Sequence, residues 1–441
     1  MKTFRTYQPD QLLLLPPALN DWLPKGHLVH FISDVVDSLD LSEVYHSYNQ
    51  EKGGQPPYHP LMMVKVLCYA CCIGMRSSRQ IERATWENIA FRVLTADQHP
   101  DHDSLASFRK KHLNALSNLF QQVLEMTTKA NLIDLNHVAV DGTKVNANAG
   151  RDKTYSLTRV KKKEERLKKL VDEILSEADR IDREEDEKYG DRSTYQLPQE
   201  YRDRASRLKK IQELKEKMEK EAKEAEEQAE KERELKAQGS KRKGRPRKNK
   251  PAKELIRNLT DYDSRIMHLT SGNWAQAFNA QAVVDSKNQI IIASDVTNQG
   301  NDQGLLQPML RQAIKNTGRK PKIATADRAY YKESTLRSKE FSGINILVPP
   351  QDMRRERKPG KGKRAFPYTT FMKTRIELPE NKELYKRRKT IVEPVFGQIK
   401  ESVLSFNRFT FRGLANVKRE WDFLCAIHNL MKLYRSGWQP A

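Results

Sequence analysis

The apolar positions change their period several times along the chain, and each change marks a new element. Over residues 1–132 the spacing is helical. Residues 26–39 carry one apolar face, and 61–74 (LMMVKVLCYACCIG) are nearly all apolar, the mark of a core helix. Ser77 with Gln80 forms a capping-box pattern that opens a helix over 79–94, and Asp103 or Ser104 caps another over 105–130. A short apolar run, 137–140, ends on Asp141-Gly142 and predicts a buried strand with an acid at its C-terminal end. From 156 to 236 two heptad-like runs (Leu167, Val171, Ile174, then Leu208, Ile211, Met218) flank a break holding Gly190 and Pro198, which predicts an antiparallel helical hairpin. From 258 the texture is α/β. Strands are predicted at 274–285 and 289–296, joined by the turn 285–288, with further strands at 322–326, ending on Asp327, and at 344–348. Helices are predicted at 302–316, 331–339, 385–400 and 415–435, the last packed under the sheet, and 351–375 reads as a basic, mobile connection.

Charge narrows the partner. The 441 residues carry a net charge of +22 and a pI near 9.6, which points to a polyanion. There is no membrane-length apolar run and no signal peptide, so a cytoplasmic protein associated with the nucleoid is expected. Cys68, Cys71 and Cys72 have no matching Cys or His pair nearby for zinc and read as buried thiols. The short N-terminal helices with several Arg suit either a helix-turn-helix-like DNA-binding module or a plain bundle. The charged hairpin suits a solvated spacer or a dimerisation arm. Within 239–250 (GSKRKGRPRKNK), Pro246 keeps the backbone extended. That lets Arg245 and Arg247 lie along a narrow A·T-rich minor groove; the alternative is a basic linker touching phosphates only.

Residues 385–400 (YKRRKTIVEPVFGQIK) concentrate the candidate chemistry. Glu393 is the only acid in that basic helix, and a lone carboxylate among cations suits a metal ligand beside a polyphosphate. Two further acids, Asp141 and Asp327, end strands. The placement of the three fits a ribonuclease H-like fold, a mixed sheet flanked by helices, whose acids hold two Mg²⁺ about 4 Å apart. Asp134, Asp285, Asp295 and Asp302 fit turns and a helix cap instead.

Four stretches carry a family resemblance: VAVDGTKVNANA around Asp141, NAQAVVDSKNQIIIASDVTNQGNDQGLLQPML across 279–310, TADRAYY around Asp327, and 385–400. In that order they resemble DDE-type transposases of bacterial insertion sequences, in the branch with a helical N-terminal domain and a long charged insertion after the first Asp. The resemblance implies a division into 1–132 (helical, DNA-binding), 133–155 (first core strand), 156–236 (hairpin), 237–257 (basic linker) and 258–441 (the rest of the core). It implies that Asp141, Asp327 and Glu393 are the catalytic, metal-binding acids for Mg²⁺, with Mn²⁺ as an alternative. It places Tyr330, Tyr331, Tyr385, Arg388, Lys389 and Lys400, with Arg245 and Arg247, on DNA. Tyr385 and Arg388 lie one position further from Glu393 than the common family pattern, and Lys389 occupies the slot expected for Arg. The implied partners are the element's terminal inverted repeats, target DNA and a second copy of the chain. A catalytically silent DNA-binding derivative and a ribonuclease H-like nuclease are the rival readings.

Overall fold

The computed structural model describes residues 18–48, 56–189, 199–238, 255–350 and 367–440. The N-terminal helices α1 (Leu28–Asp37), α2 (Ser42–His46) and α3 (Pro60–Cys72) form where the apolar period requires. α1 turns Val29, Ile32, Val35 and Val36 onto α3, which is buried on nearly every side. Burial drives the Cys68 and Cys72 thiols well above the ordinary thiol range; both are free and serve as apolar packing. The helix expected over 79–94 is two, α4 (Ser78–Glu87) and α5 (Ile89–Thr95). Asn88 breaks the run by capping the second, accepting from the Ala90 N–H at 2.9 Å, whereas Ser77 makes no side-chain cap. The helix expected over 105–130 is also two, α6 (His102–Lys111) and α7 (Leu113–Lys129), and the cap is Asp101, which accepts from the Ser104 N–H at 2.6 Å.

The first strand, β1 (His137–Asn146), runs well past the expected end at Val140, so Asp141 lies inside it. A short strand β2 (Thr154–Ser156) leads into the long helices α8 (Leu157–Tyr189) and α9 (Gln199–Gln238), and β3 (Ile256–Asn258) returns to pair with β2. Val160 and Leu167 pack on Ile211, Leu214 and Met218. Lys161 meets Glu219 at 3.0 Å and Lys215 meets Glu164 at 2.9 Å, a register that runs the two helices in opposite directions. The turn expected at 190–198, the basic stretch with Arg245 and Arg247, and residues 351–366 lie outside the described residues.

Strand β4 (Arg265–His268) has no counterpart in the sequence reading. It pairs with the first half of β5 (Trp274–Asp285), and β6 (Ile291–Thr297) pairs with the second half along the same edge. The other edge of β5 takes β1, antiparallel. Beyond α10 (Leu306–Thr317), β7 (Ile323–Ala326) runs parallel to β1; beyond α11 (Glu333–Leu336), β8 (Asn345–Leu347) runs parallel to β7. Two expected helices shift and one helix is unforeseen. That over 302–316 begins four residues late, leaving Asp302 in a loop; that over 331–339 shrinks to α11; and the end of the supposedly mobile connection is α12 (Pro367–Glu377). α13 (Pro379–Gly397) and α14 (Leu414–Arg435) complete the chain.

α14 packs on β6, as expected, and also on α3 and α7. A single buried cluster therefore runs from Val36 and Phe91 through Leu124 to Val140, Val283 and Ile427, joining the N-terminal helices to the sheet. Arg76 fastens the joint. Its guanidinium pairs with Glu420 at 2.8 Å, donates to Thr410 Oγ1 and the Arg408 carbonyl, and lies 4.1 Å over the Phe406 ring. Glu420 also accepts from the N–H groups of Thr410 and Phe411. Because Arg76 and Glu420 are largely shielded from water, removing one leaves the other's charge uncompensated. Arg76→Met is expected to cost about 3–5 kcal/mol, read as a lowered urea midpoint with a single transition if the joint is shared by one cooperative unit.

Candidate active site

The last paired residues of the parallel strands are Val140 and Ala326, so Asp141 and Asp327 follow side by side. β7 stops there and β1 does not, because β5 continues to pair with β1 through Asn146. Asp327 caps the 3₁₀ turn Arg328–Tyr330, accepting from the Arg328 N–H at 2.7 Å. Asp141 accepts from the Gly142 N–H at 2.8 Å and from Arg388 Nη1 at 2.6 Å. Burial pushes the Asp141 carboxyl above the usual carboxylate range, against the pull of Arg388 and of the Gly142 N–H, and the Asp327 charge adds to the push.

α13 lies across this strand end. Its buried face is Arg388, Ile391, Val392, Val395 and Phe396, so Arg388 is the basic residue that turns inward, with Tyr385 beside it, while Lys389 is exposed. The Nε of Arg388 is buried without a hydrogen-bond partner among the described residues. Glu393 is exposed. Five helical positions place it roughly 140° around the axis from Arg388. Asp141 and Asp327 follow adjacent strand ends, and among the described residues no three acidic, His or Cys side chains gather into a metal-holding group, so the exposed Glu393 does not join them.

Two irregularities shape this helix. Pro394 has no N–H to offer the Thr390 carbonyl, and Gln289 Nε2 fills the vacancy at 3.2 Å. After Gly397 the helix widens into a π turn, Gln398–Ser402, and from it Lys400 reaches back to β1, donating to Thr143 Oγ1 at 3.1 Å and to the Lys144 carbonyl at 3.3 Å.

Tyr330 and Tyr331 are placed differently from each other. Tyr330 is fully enclosed, with its hydroxyl donating to Gln281 Oε1, and presents no face to a base. Tyr331 is partly buried and its hydroxyl meets Thr369 Oγ1 of α12 at 2.7 Å. Asp285 acts as the expected turn residue, accepting from the N–H groups of Lys287 and Asn288. Asp302 does not cap a helix: its Oδ1 accepts from Asn279 at 2.6 Å and Gln281 at 3.0 Å, and Lys144 Nζ lies 3.6 Å away. Asn279 and Gln281 are buried polar residues that sequence reading passed over. The signal available was the pair of amides at alternate positions in an otherwise apolar strand.

Two carboxylates at neighbouring strand ends, bordered by Arg388 and Lys400, can bind a hard cation and a phosphate chain together. Residues 17–111 match the family model described as a transposase domain (DUF772), and residues 257–430 match that of the transposase DDE domain. The second match takes in Asp327 and Glu393; Asp141 precedes it. No curated protein and no solved structure matches the chain. The chain belongs to the insertion-sequence transposases of the DDE type. Its mixed sheet with flanking helices is consistent with the ribonuclease H-like core that this domain implies, and no helix among the described residues is long and apolar enough to cross a membrane.

Proposed function

We propose that this protein binds the ends of its own insertion element, hydrolyses a phosphodiester at each end to free a 3′-hydroxyl, and joins that hydroxyl to target DNA. The observation that carries the reading is the emergence of Asp141 and Asp327 from adjacent parallel strands, under a helix that brings Arg388 and Lys400 to the same edge. Transposases of this family work with divalent metal ions. The donor chemistry of Asp141 and Asp327 fits such an ion, and Glu393 would be the third ligand on turning inward. Mg²⁺ held there, one or two ions, would supply an activated water and relief of charge on the leaving oxygen.

The chain's own residues do the rest. Arg388, whose charge now neutralises Asp141, is placed to grip a phosphate when that carboxylate takes another cation. Lys400, which reaches Thr143 on the Asp141 face of β1, would hold the backbone of the DNA, while Lys144 points to the other face, toward Asp302. α4 turns Arg79 and Arg83 outward, which suits the N-terminal helices to the terminal repeats. Two ends must be held at once, which calls for a dimer or larger assembly.

The outward position of Glu393 favours a second reading, a catalytically silent DNA-binding protein. Full-length protein with Mg²⁺ and end-labelled DNA from the borders of the reading frame separates the readings. Nicks that expose 3′-hydroxyls, followed by products joined to plasmid DNA, are expected. Binding without nicks supports the silent reading, and nicks without joined products support a nuclease.

A further inference from the structure

Beneath the two aspartates lies a buried polar chain that neither strand needs for its own pairing. Asn279 and Gln281 lie on β5, inside the sheet, and are essentially inaccessible to water. Amides in that position are costly unless every group is matched, and these are matched to each other and to one carboxylate. Gln281 Nε2 donates to Asn279 Oδ1 and to Asp302 Oδ1, both at 3.0 Å, while its Oε1 accepts the Tyr330 hydroxyl. Asn279 Nδ2 donates to Asp302 at 2.6 Å and to the Gln299 carbonyl at 3.2 Å. Lys144 approaches the same Asp302 oxygen.

β1 makes room for the chain. Gly142 stands opposite Gln281 in the register, and a Cβ there would come within 2.1 Å of Gln281 Nε2 and 3.0 Å of Asn279 Oδ1. Any other residue next to Asp141 would push the amide aside. The chain therefore has two ends at the site: Gly142 and Lys144 follow Asp141 on β1, and Tyr330 closes the turn that Asp327 caps.

We infer that Gln281 and Asp302 are positioning residues that fix the Asp327 turn against the Asp141 strand, setting the spacing of the two carboxylates. This rests on the proposed metal-dependent reading of the site. A carboxylate pair is useful to a cation only within a few tenths of an ångström, and an orienting partner behind a ligand is worth about 10–100-fold in metal affinity. Asp302 uses one oxygen for all three contacts, so Asp302→Asn keeps an acceptor in place and removes only the charge. Gln281→Leu removes the bridge, and Tyr330→Phe removes a single hydroxyl from its end.

Full-length protein is titrated with Mn²⁺ alone by electron paramagnetic resonance, and amide exchange is followed over residues 327–331. Gln281→Leu is expected to weaken Mn²⁺ binding by about 10-fold or more and to speed exchange across that turn. Single-turnover cleavage should fall by about 100-fold at unchanged DNA affinity, since misplaced ligands cost rate rather than binding. Tyr330→Phe should show the same pattern more weakly, and it carries the test if Gln281→Leu does not fold. A folded variant with wild-type Mn²⁺ affinity and wild-type exchange overturns the inference. Wild-type protein that binds no Mn²⁺ overturns the metal reading instead, while exchange over 327–331 still reports whether the chain holds the turn.

Discussion

Glu393→Gln is expected to lose strand cleavage by about 10³-fold or more, roughly 4 kcal/mol of transition-state stabilisation, and to keep its affinity for element ends. The substitution preserves volume and helix propensity and removes one negative charge from an exposed position, so neither folding nor the basic DNA-binding surface should suffer. In the arrangement seen, the carboxylate is away from Asp141 and Asp327, and an ordinary surface Glu would tolerate the change with less than a twofold effect. The measurement is single-turnover nicking of labelled ends with Mg²⁺, alongside gel-shift binding without metal. Retained nicking in Glu393→Gln would remove this residue from the chemistry and leave a two-carboxylate site.

The second large effect is at Arg388. Arg388→Met keeps the buried aliphatic stem and deletes the guanidinium from Asp141. Three consequences follow. The proposed phosphate grip would be lost, which should lower cleavage by about 10²–10³-fold. Mn²⁺ should bind the DNA-free protein more tightly, because no resident cation competes for Asp141. Stability should fall by up to about 3 kcal/mol at neutral pH, at the low end for a broken pair because the Asp141 side chain keeps 20% of its exposure. The pH dependence of that loss has a definite sign. The folded Asp141 carboxyl already sits above its unfolded value, and removing Arg388 raises it further. A group raised in this way has its full stability below the unfolded value, about 4, and loses stability as pH climbs through the folded one. The deficit of Arg388→Met should therefore shrink as the solution is acidified toward pH 4. Urea midpoints at several pH values would show it, and a deficit independent of pH would mean that the ion pair contributes little.

Much of the core was legible because its strands are apolar on both faces. β5 begins and ends where the sequence placed it, β7 stops before Asp327, and α14 packs on the sheet. The misses share a cause, which is that short-range signals were overruled by tertiary partners. Asp141-Gly142 reads as the end of a strand, yet the strand continues and Gly142 admits the Gln281 amide. Asn279 and Gln281 interrupt an otherwise apolar strand, and they are buried because Asp302, the Gln299 carbonyl and Tyr330 match their hydrogen bonds. The resemblance puts both tyrosines after Asp327 on DNA, but Tyr330 is enclosed with its hydroxyl on Gln281. The apolar period of 385–400 gave the buried face of α13 correctly, and Arg388 falls on that face. The same period turns Glu393 outward, five positions from Arg388; what periodicity is blind to is the widened turn after Gly397 that aims Lys400 at β1.

That widened turn has a geometric consequence. It takes up one residue more than an ordinary turn, so the segments on its two sides are offset by about 100° of twist. Because the surplus is stored downstream of Gly397, Lys400 is aimed at β1 while Glu393 looks outward. Had the surplus residue been held between Arg388 and Glu393 instead, Glu393 would take about the bearing that Val392 has now, on the buried face. The bearing of Glu393 against that of Lys400 is thus a property of where the helix keeps its slack.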